Sequence, residues 1–373
     1  MKVIIAAAGT GGHINPGIAI ANKIEKEEKN SEIIFIGTDR GIEKDLVPRA
    51  GYKLKTIEVY GLSKKLTITN IKKMLKTLQS IKKAKQIIEE FKPDVVIGTG
   101  GYISGPVLKA AQQLNIPTAL HESNSFPGLA VKMLAKNTDV IMVGLEEAKD
   151  NLKKAKKVVL TGTPTKINNL KLEDMKKYFL KEKLDLNPDL PLVLVFGGSQ
   201  GAKKINDVMI EIIKNKLNKN YQIVWAVGQK NYEEVRNTLI EEKIDIENLK
   251  NIKALPYIYN MEEYMNVADL LVCRSGAITI TEIAKLGKPA IFIPLPNVSQ
   301  NHQEKNARVL EKIGAAKIIL NNELTQENLI KAVEEIITNK SILAQMGKKA
   351  HTLNIENVED KIYNEIKQIC KNN

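Results

Sequence analysis

Residues 6–17 read AAAGTGGHINPG, directly after the apolar residues 3–5. An apolar run ending in glycines and followed by an amphipathic stretch predicts a strand, a tight turn and a helix. Glycines at a strand's C-terminal end let backbone amides approach a ligand, and the helix N-terminus that follows favours an anion. Three readings of the stretch stand side by side: a phosphate cradle, a loop carrying a catalytic histidine, or a turn that uses glycine only for its backbone freedom.

The pattern repeats along the chain. Short apolar runs at residues 3–7, 33–36, 95–97, 118–120, 140–143 and 158–160 alternate with longer amphipathic segments. After an interruption by Gly, Pro and Asn at TGTPTKINN, residues 161–169, it restarts at 192–196 and continues through 222–226, 252–255, 270–273, 290–294 and 316–320. Strands alternating with helices indicate parallel sheets, so the expected architecture is α/β with two doubly wound, Rossmann-like halves. The expected domains are 1–163 and 164–345, with a C-terminal helical segment of about 346–373 packing back on the first.

With 373 residues the chain exceeds one ordinary core, and its 43% hydrophobic and 27% charged content describes a folded protein. The apolar runs are of strand length, well below the roughly 20 residues of a spanning helix. The N-terminus lacks the pattern of a secretory signal, and the expected location is cytoplasmic. The two cysteines, Cys273 and Cys370, lie far apart, which disfavours a disulfide framework or a zinc site. The net charge of +13 is concentrated in the first half, and the stretch 61–88 holds eight lysines and no acidic residue. Within it Ile71, Met74, Leu75, Leu78 and Ile81 follow helical spacing, flanked by Lys72, Lys73 and Lys76. Such a helix either lies on an anionic membrane surface or faces a core with a lysine-rich exposed side. Sparse aromatic residues and no nucleic-acid-binding signature argue against a nucleic-acid partner.

Three glycine clusters follow predicted strands: AAGTGGHINPG, GTGGYISGP at residues 98–106 and FGGSQGA at 196–202. None completes the dinucleotide fingerprint or the P-loop, which disfavours a nicotinamide enzyme or a P-loop NTPase. His13 follows the first cluster, where a neutral imidazole either takes a proton from an attacking hydroxyl or orders the loop. His121 and Glu122 follow another predicted strand and either touch an acceptor or brace the first turn. Asn124 is a polar ligand contact or a turn residue. In VCRSGAITITEIAKLGKP, residues 272–289, Glu282 falls inside a predicted helix, where its carboxylate accepts from ribose hydroxyls or is a solvated charge. Gln303 binds sugar hydroxyls or caps a turn.

Taken in order, GTGGHINPG, GTGGYISGP, HESNSFPG, TGTP, GGSQGA, CRSGAITITE and HQEKNA resemble the MurG family, peripheral membrane N-acetylglucosaminyltransferases of bacterial peptidoglycan synthesis. The resemblance covers nearly the whole chain. It implies a GT-B fold of two Rossmann-like domains facing a cleft, the acceptor domain first and the UDP-sugar domain second. The implied reaction moves GlcNAc from UDP-GlcNAc, with inversion, to the 4-hydroxyl of MurNAc in undecaprenyl-pyrophosphoryl-MurNAc-pentapeptide, lipid I to lipid II, at the cytoplasmic face of the membrane.

By position, the resemblance implies donor contacts from Thr10, Gly11, Gly12, Asn124, Lys166, Ser199, Ile258, Ala277, Ile278, Thr279, Ile280, Thr281, Glu282 and Gln303. Ser199 would touch phosphate, Ile258 the uracil through its backbone, Glu282 the ribose and Gln303 the GlcNAc hydroxyls. His13 is the implied general base, and Gly100, Gly101, Tyr102, Ser104 and Gly105 the acceptor diphosphate turn. Lys72, Lys73, Met74, Leu75, Lys76 and Leu78 would meet the membrane. No metal or other cofactor is implied, and the chain has no Asp-x-Asp motif. Lys166 stands where the family often has arginine, keeping the charge without the bidentate fork. Three rivals remain at this stage: a GT-B enzyme acting on diacylglycerol, a UDP-GlcNAc 2-epimerase of the same fold, and a non-catalytic UDP-sugar-binding membrane protein.

Overall fold

The computed structural model describes residues 1–59, 68–167, 173–198, 200–218 and 220–371, with side chains inside the helix that begins at Ile68 described from Gln79 onward. The chain divides into two compact units, Met1–Lys166 with Ile355–Asn373, and Ile167–Asn354.

The first unit contains β1 (Lys2–Ala6), α1 (Gly11–Glu27), β2 (Glu32–Gly37), α2 (Glu43–Arg49), β3 (Lys53–Thr56), α3 (Ile68–Phe91), β4 (Val95–Gly98), α4 (Ser104–Gln113), β5 (Thr118–Glu122), α5 (Leu129–Leu134), β6 (Val140–Val143) and β7 (Val158–Leu160). Among the described residues these strands form one parallel sheet in the order β3-β2-β1-β4-β5-β6-β7. Period-two alternation sends β1 side chains to two cores. Val3 and Ile5 join Ile20 and Ile24 of α1, whereas Ile4 and Ala6 join Ile88 of α3 and Val107 of α4. Burying each isoleucine contributes about 1.5–3 kcal/mol. Both faces are thus covered, which is why these strands read as continuous apolar runs.

The second unit runs through α6 (Asp174–Lys183), β8 (Leu192–Phe196), α7 (Lys203–Lys214), β9 (Gln222–Ala226), α8 (Tyr232–Glu241), β10 (Ile252–Leu255), α9 (Met261–Val267), β11 (Leu270–Cys273), α10 (Ala277–Leu286), β12 (Ala290–Phe292), α11 (His302–Lys312), β13 (Ala316–Ile318), α12 (Gln326–Ile337) and α13 (Lys340–His351). Its parallel sheet has the order β10-β9-β8-β11-β12-β13. In each unit the order reverses direction at one place, between β1 and β4 and between β8 and β11. Open α/β sheets bind ligands outside the strand C-termini at such a switch point.

The structure departs from the sequence reading in three places. Strand β3, KLKT, has alternating lysines and mostly exposed residues, so no apolar run announces it; it is an edge strand of the charged kind. β5 extends through His121 and Glu122, which therefore belong to the strand and do not follow it. Only α14 (Val358–Lys371) rejoins the first unit, through Ile362, Tyr363 and Ile366 in the α1 core. Helix α13, within the segment read as returning, stays in the second unit, where a Cβ at Gly347 would stand 2.6 Å from the Gly287 carbonyl oxygen.

Candidate active site

Parallel pairing puts every strand C-terminus of a unit on one rim of its sheet. On the first rim the turns after β1 and β4 lie side by side at the switch point, which gives their shared TGG pattern a spatial meaning. Gly9 and Gly100 have φ of +98° and +101°, a region closed to most side chains. The His13 ring fills the space beside the second turn: a Cβ on Gly100 would stand 2.7 Å from its Cδ2, and one on Gly101 3.3 Å from its Nδ1. Thr99 Oγ1 donates to the His13 carbonyl at 2.7 Å, and His13 Nδ1 lies 3.3 Å from Ala8 O and 3.5 Å from Thr10 Oγ1. A carbonyl only accepts, so the Ala8 contact places a ring proton on Nδ1, and in a neutral ring Nε2 is then the acceptor. Imidazole in that tautomer is equipped to take a proton through Nε2.

Helices α1, α4 and α10 each follow one of these turns or strand ends. None carries a side-chain N-cap or an acidic residue in its first turn. Their leading amides are donors unmatched by any carboxylate of their own, which suits phosphate. Tyr102 is exposed on the second turn. Ser104 is fully buried and donates to Gly100 O at 2.8 Å, so its hydroxyl braces the turn.

Two buried carboxylates organise this rim. Glu122 accepts from Asn124 N, Asn124 Nδ2 and Gly128 N at 3.0, 2.9 and 2.9 Å, fixing the orientation of the Asn124 amide. Glu43, which the motif reading missed, accepts from Gly9 N at 3.1 Å and from Thr38 N and Oγ1 at 3.0 and 2.6 Å. Burial pushes the Glu43 carboxyl up, but these bonds prevail and hold it below the usual range. His121 is wholly buried, and burial lowers its pKa; its Nε2 lies 2.9 Å from Gly162 O. It braces the TGTP turn and not the first glycine turn. Lys166, just past that turn, is exposed.

On the second rim, Gly197 and Gly198 follow β8, Ile258 follows β10, Ser275 and Gly276 follow β11, and Gln303 follows β12. A Cβ at Gly198 or Gly276 would meet nothing within 4 Å, so both face open space. Ser275 Oγ donates to Gln303 O at 2.8 Å, and Leu295 N donates to Gln303 Oε1 at 2.9 Å, which leaves the amide presenting its NH₂ side. Ile258 is buried between Tyr257 and Tyr259, whose rings meet edge to face at 4.9 Å. Along α10, Ile278, Thr279 and Glu282 are partly buried, and Ala277 is nearly closed. Ile280 is fully buried with its amide donating to Gly276 O, and Thr281 Oγ1 donates to Ala277 O. The last two build the helix. Burial, with Glu262 adding repulsion and Lys285 opposing, pushes the Glu282 carboxyl up to about 7.

Ser199 and the side chains of Lys72, Lys73, Met74, Leu75, Lys76 and Leu78 lie outside the described residues; the backbone of the latter six belongs to α3. Among the described residues, no helix is long and apolar enough to cross a membrane.

Residues 3–143 match the glycosyltransferase family 28 N-terminal domain, and residues 192–362 match the C-terminal domain of the same family. The chain is a glycosyltransferase of family 28. It is 45% identical over 99% of its length to the whole of a Thermoanaerobacter sp. (strain X514) protein named UDP-N-acetylglucosamine–N-acetylmuramyl-(pentapeptide) pyrophosphoryl-undecaprenol N-acetylglucosamine transferase. An Acetivibrio thermocellus protein of the same name is 43% identical over 100% of this chain and 99% of its own. Among solved structures, Acinetobacter baumannii MurG superposes with a TM-score of 0.78 at 29% identity, covering 98% of this chain and 99% of that one. A Neisseria meningitidis UDP-GlcNAc 2-epimerase bound to UDP-GlcNAc reaches a TM-score of 0.64 at 16% identity over 99% and 100% of the two chains, a likeness of fold alone.

Proposed function

We propose that the enzyme transfers GlcNAc from UDP-GlcNAc to the MurNAc 4-hydroxyl of the undecaprenyl-pyrophosphoryl muramoyl-pentapeptide, the acceptor in its relatives' name. The observation that carries this reading is the full-length identity of 45% to a transferase of that name. The geometry suits the chemistry. The first unit offers glycine turns and helix N-termini to the acceptor diphosphate, with His13 Nε2 beside them. The second offers the α10 N-terminus to UDP, Glu282 to the ribose, the Ile258 backbone to uracil and the Gln303 amide to sugar hydroxyls.

In the proposed step the acceptor 4-oxygen attacks C1 of GlcNAc from the face opposite UDP. Its proton passes to His13 Nε2 as the new C1–O bond forms, and the bond from C1 to the diphosphate oxygen breaks. The departing charge is met by amide donors at the α10 N-terminus. Direct displacement inverts the anomeric centre. These amides supply what a metal supplies elsewhere, so transfer should proceed unchanged in excess EDTA; loss restored by Mg²⁺ would count against metal-free chemistry.

The decisive assay follows UDP release from UDP-GlcNAc with the lipid-linked muramoyl acceptor, with diacylglycerol and with no acceptor. Turnover with the muramoyl lipid alone supports the reading. Turnover with diacylglycerol instead, or donor binding with no turnover, sinks it. The lysine-flanked apolar spacing of α3 further supports peripheral contact with an anionic membrane. Changing Lys72, Lys73 and Lys76 to Glu should reduce co-sedimentation with anionic liposomes, and undiminished binding would exclude that role.

A further inference from the structure

We infer that Glu43 is a positioning residue, whose buried carboxylate ties the glycine turn carrying His13 to the β2 end of the sheet. The inference rests on the reading of that turn as part of the acceptor site. In dinucleotide-binding folds an acidic residue past the second strand reaches out to a ribose. Here the Glu43 carboxylate past β2 turns inward: Oε2 accepts from Gly9 N, and Oε1 accepts from Thr38 N and Oγ1.

The surroundings are shaped to admit this side chain. A Cβ on Gly41 would stand 1.9 Å from Oε2, and one on Gly37 2.9 Å from Cγ. Glu43 also opens α2, where the helix dipole favours its negative charge. Gly9, three residues past the end of β1, turns the chain with positive φ, and its N–H lies beyond the strand ladder. The carboxylate supplies its partner. Four residues on, the His13 ring is wedged against Gly100 with little clearance. A shift of the turn therefore moves the imidazole and the α1 amides together. The effect of Glu43 passes through the turn, and the residue itself touches no substrate.

Glu43→Gln preserves size but presents an N–H where an acceptor is needed, so one of the three bonds must fail. The test uses the full-length enzyme and follows hydrogen exchange in peptides covering residues 7–14, with acceptor and donor kinetics in parallel. Exchange in 7–14 should rise about tenfold while the β4 and β5 peptides keep their protection. The acceptor kcat/KM should fall by roughly 10- to 100-fold with donor affinity little changed. Thr38→Val, which takes one of its three donors from the carboxylate and the acceptor from Gly41 N, should move both readouts in the same direction by less, and it serves if Glu43→Gln does not fold. Unchanged exchange at 7–14, or an undiminished acceptor kcat/KM, would overturn the role of Glu43. Full turnover in His13→Ala would instead overturn the base assignment, while faster exchange with a lowered acceptor kcat/KM in Glu43→Gln would still uphold the tether.

Discussion

At the switch point of the first unit a Cβ on Gly100 would collide with the His13 ring at 2.7 Å, whereas at the switch point of the second a Cβ on Gly276 would meet nothing within 4 Å. The strand orders β3-β2-β1-β4 and β10-β9-β8-β11 are equivalent, and both units place glycines in the loops after their central strands. The two glycines nevertheless have opposite uses. In the first unit glycine makes room for the protein's own imidazole, whose Nδ1 faces Ala8 O and whose backbone carbonyl accepts from Thr99. In the second it keeps a helix N-terminus open for a ligand. One scaffold thus carries a packed imidazole on one rim and an open helix N-terminus on the other.

Removing the packed group should have the largest effect. His13→Ala should lower turnover by about 10²- to 10⁴-fold, the range for loss of a general base. Donor affinity, measured by calorimetry with UDP-GlcNAc, should change little. Turnover close to wild type would show that the imidazole only orders the turn.

Exchanging the two glycines tests the comparison directly. Gly100→Ala forces a side chain into φ +101° and displaces the ring, so kcat should fall about 100-fold for a displacement near 1 Å. The strained backbone costs about 1–3 kcal/mol and lowers the melting temperature. Gly276→Ala sits at φ −63°, where alanine fits, so stability should hold while the donor KM rises about tenfold as the methyl enters ligand space. Equal effects on both parameters in the two variants would break the proposed distinction.

The Glu282 carboxyl, pushed up to about 7 mainly by burial with Glu262 beside it and Lys285 opposing, makes the second rim sensitive to pH. Only the ionised form accepts with both oxygens, so donor binding should weaken as pH falls, by up to about tenfold per unit below 7. The stability sign runs the other way. A carboxyl whose folded pKa is raised favours folding while protonated, and that contribution is lost between the unfolded value of about 4.5 and 7. Glu282→Gln should accordingly flatten the pH dependence of donor binding and raise the melting temperature at pH 8 more than at pH 5. A donor affinity that stays flat from pH 5.5 to 8 in the wild type would remove Glu282 from that role.

How much of this was legible from residues depends on where the signal lies. Strands buried on both faces show as apolar runs, and β6, β7, β8, β9, β10 and β11 begin and end where those runs do. β3 escapes because an edge strand with lysines at alternate positions has no such run. The glycine turns announce the rims, since positive φ and close approach select glycine. The partners of the braces were not legible. Glu43 sits 34 positions from Gly9 in a segment with no motif of its own, and His121 reaches Gly162 across 41 positions. One signal was available for Glu43: a carboxylate two residues after Gly41 and six after Gly37, small residues that leave room for it.

The smallest effect is expected at the edge of the first rim. Lys166 is exposed just past the TGTP turn, at the position read from the sequence as one where the family often has arginine. An ammonium is a point charge that meets a diphosphate by one bond at a time, whereas a guanidinium offers two parallel donors. An exposed group gains little from either because water screens it. Lys166→Arg should therefore tighten UDP binding by only about two- to threefold, and Lys166→Ala should weaken it by about tenfold or less, with a steeper salt dependence in the lysine and arginine forms than in alanine. If alanine binds UDP as the lysine form does at both 20 mM and 200 mM salt, Lys166 has no part in the donor site.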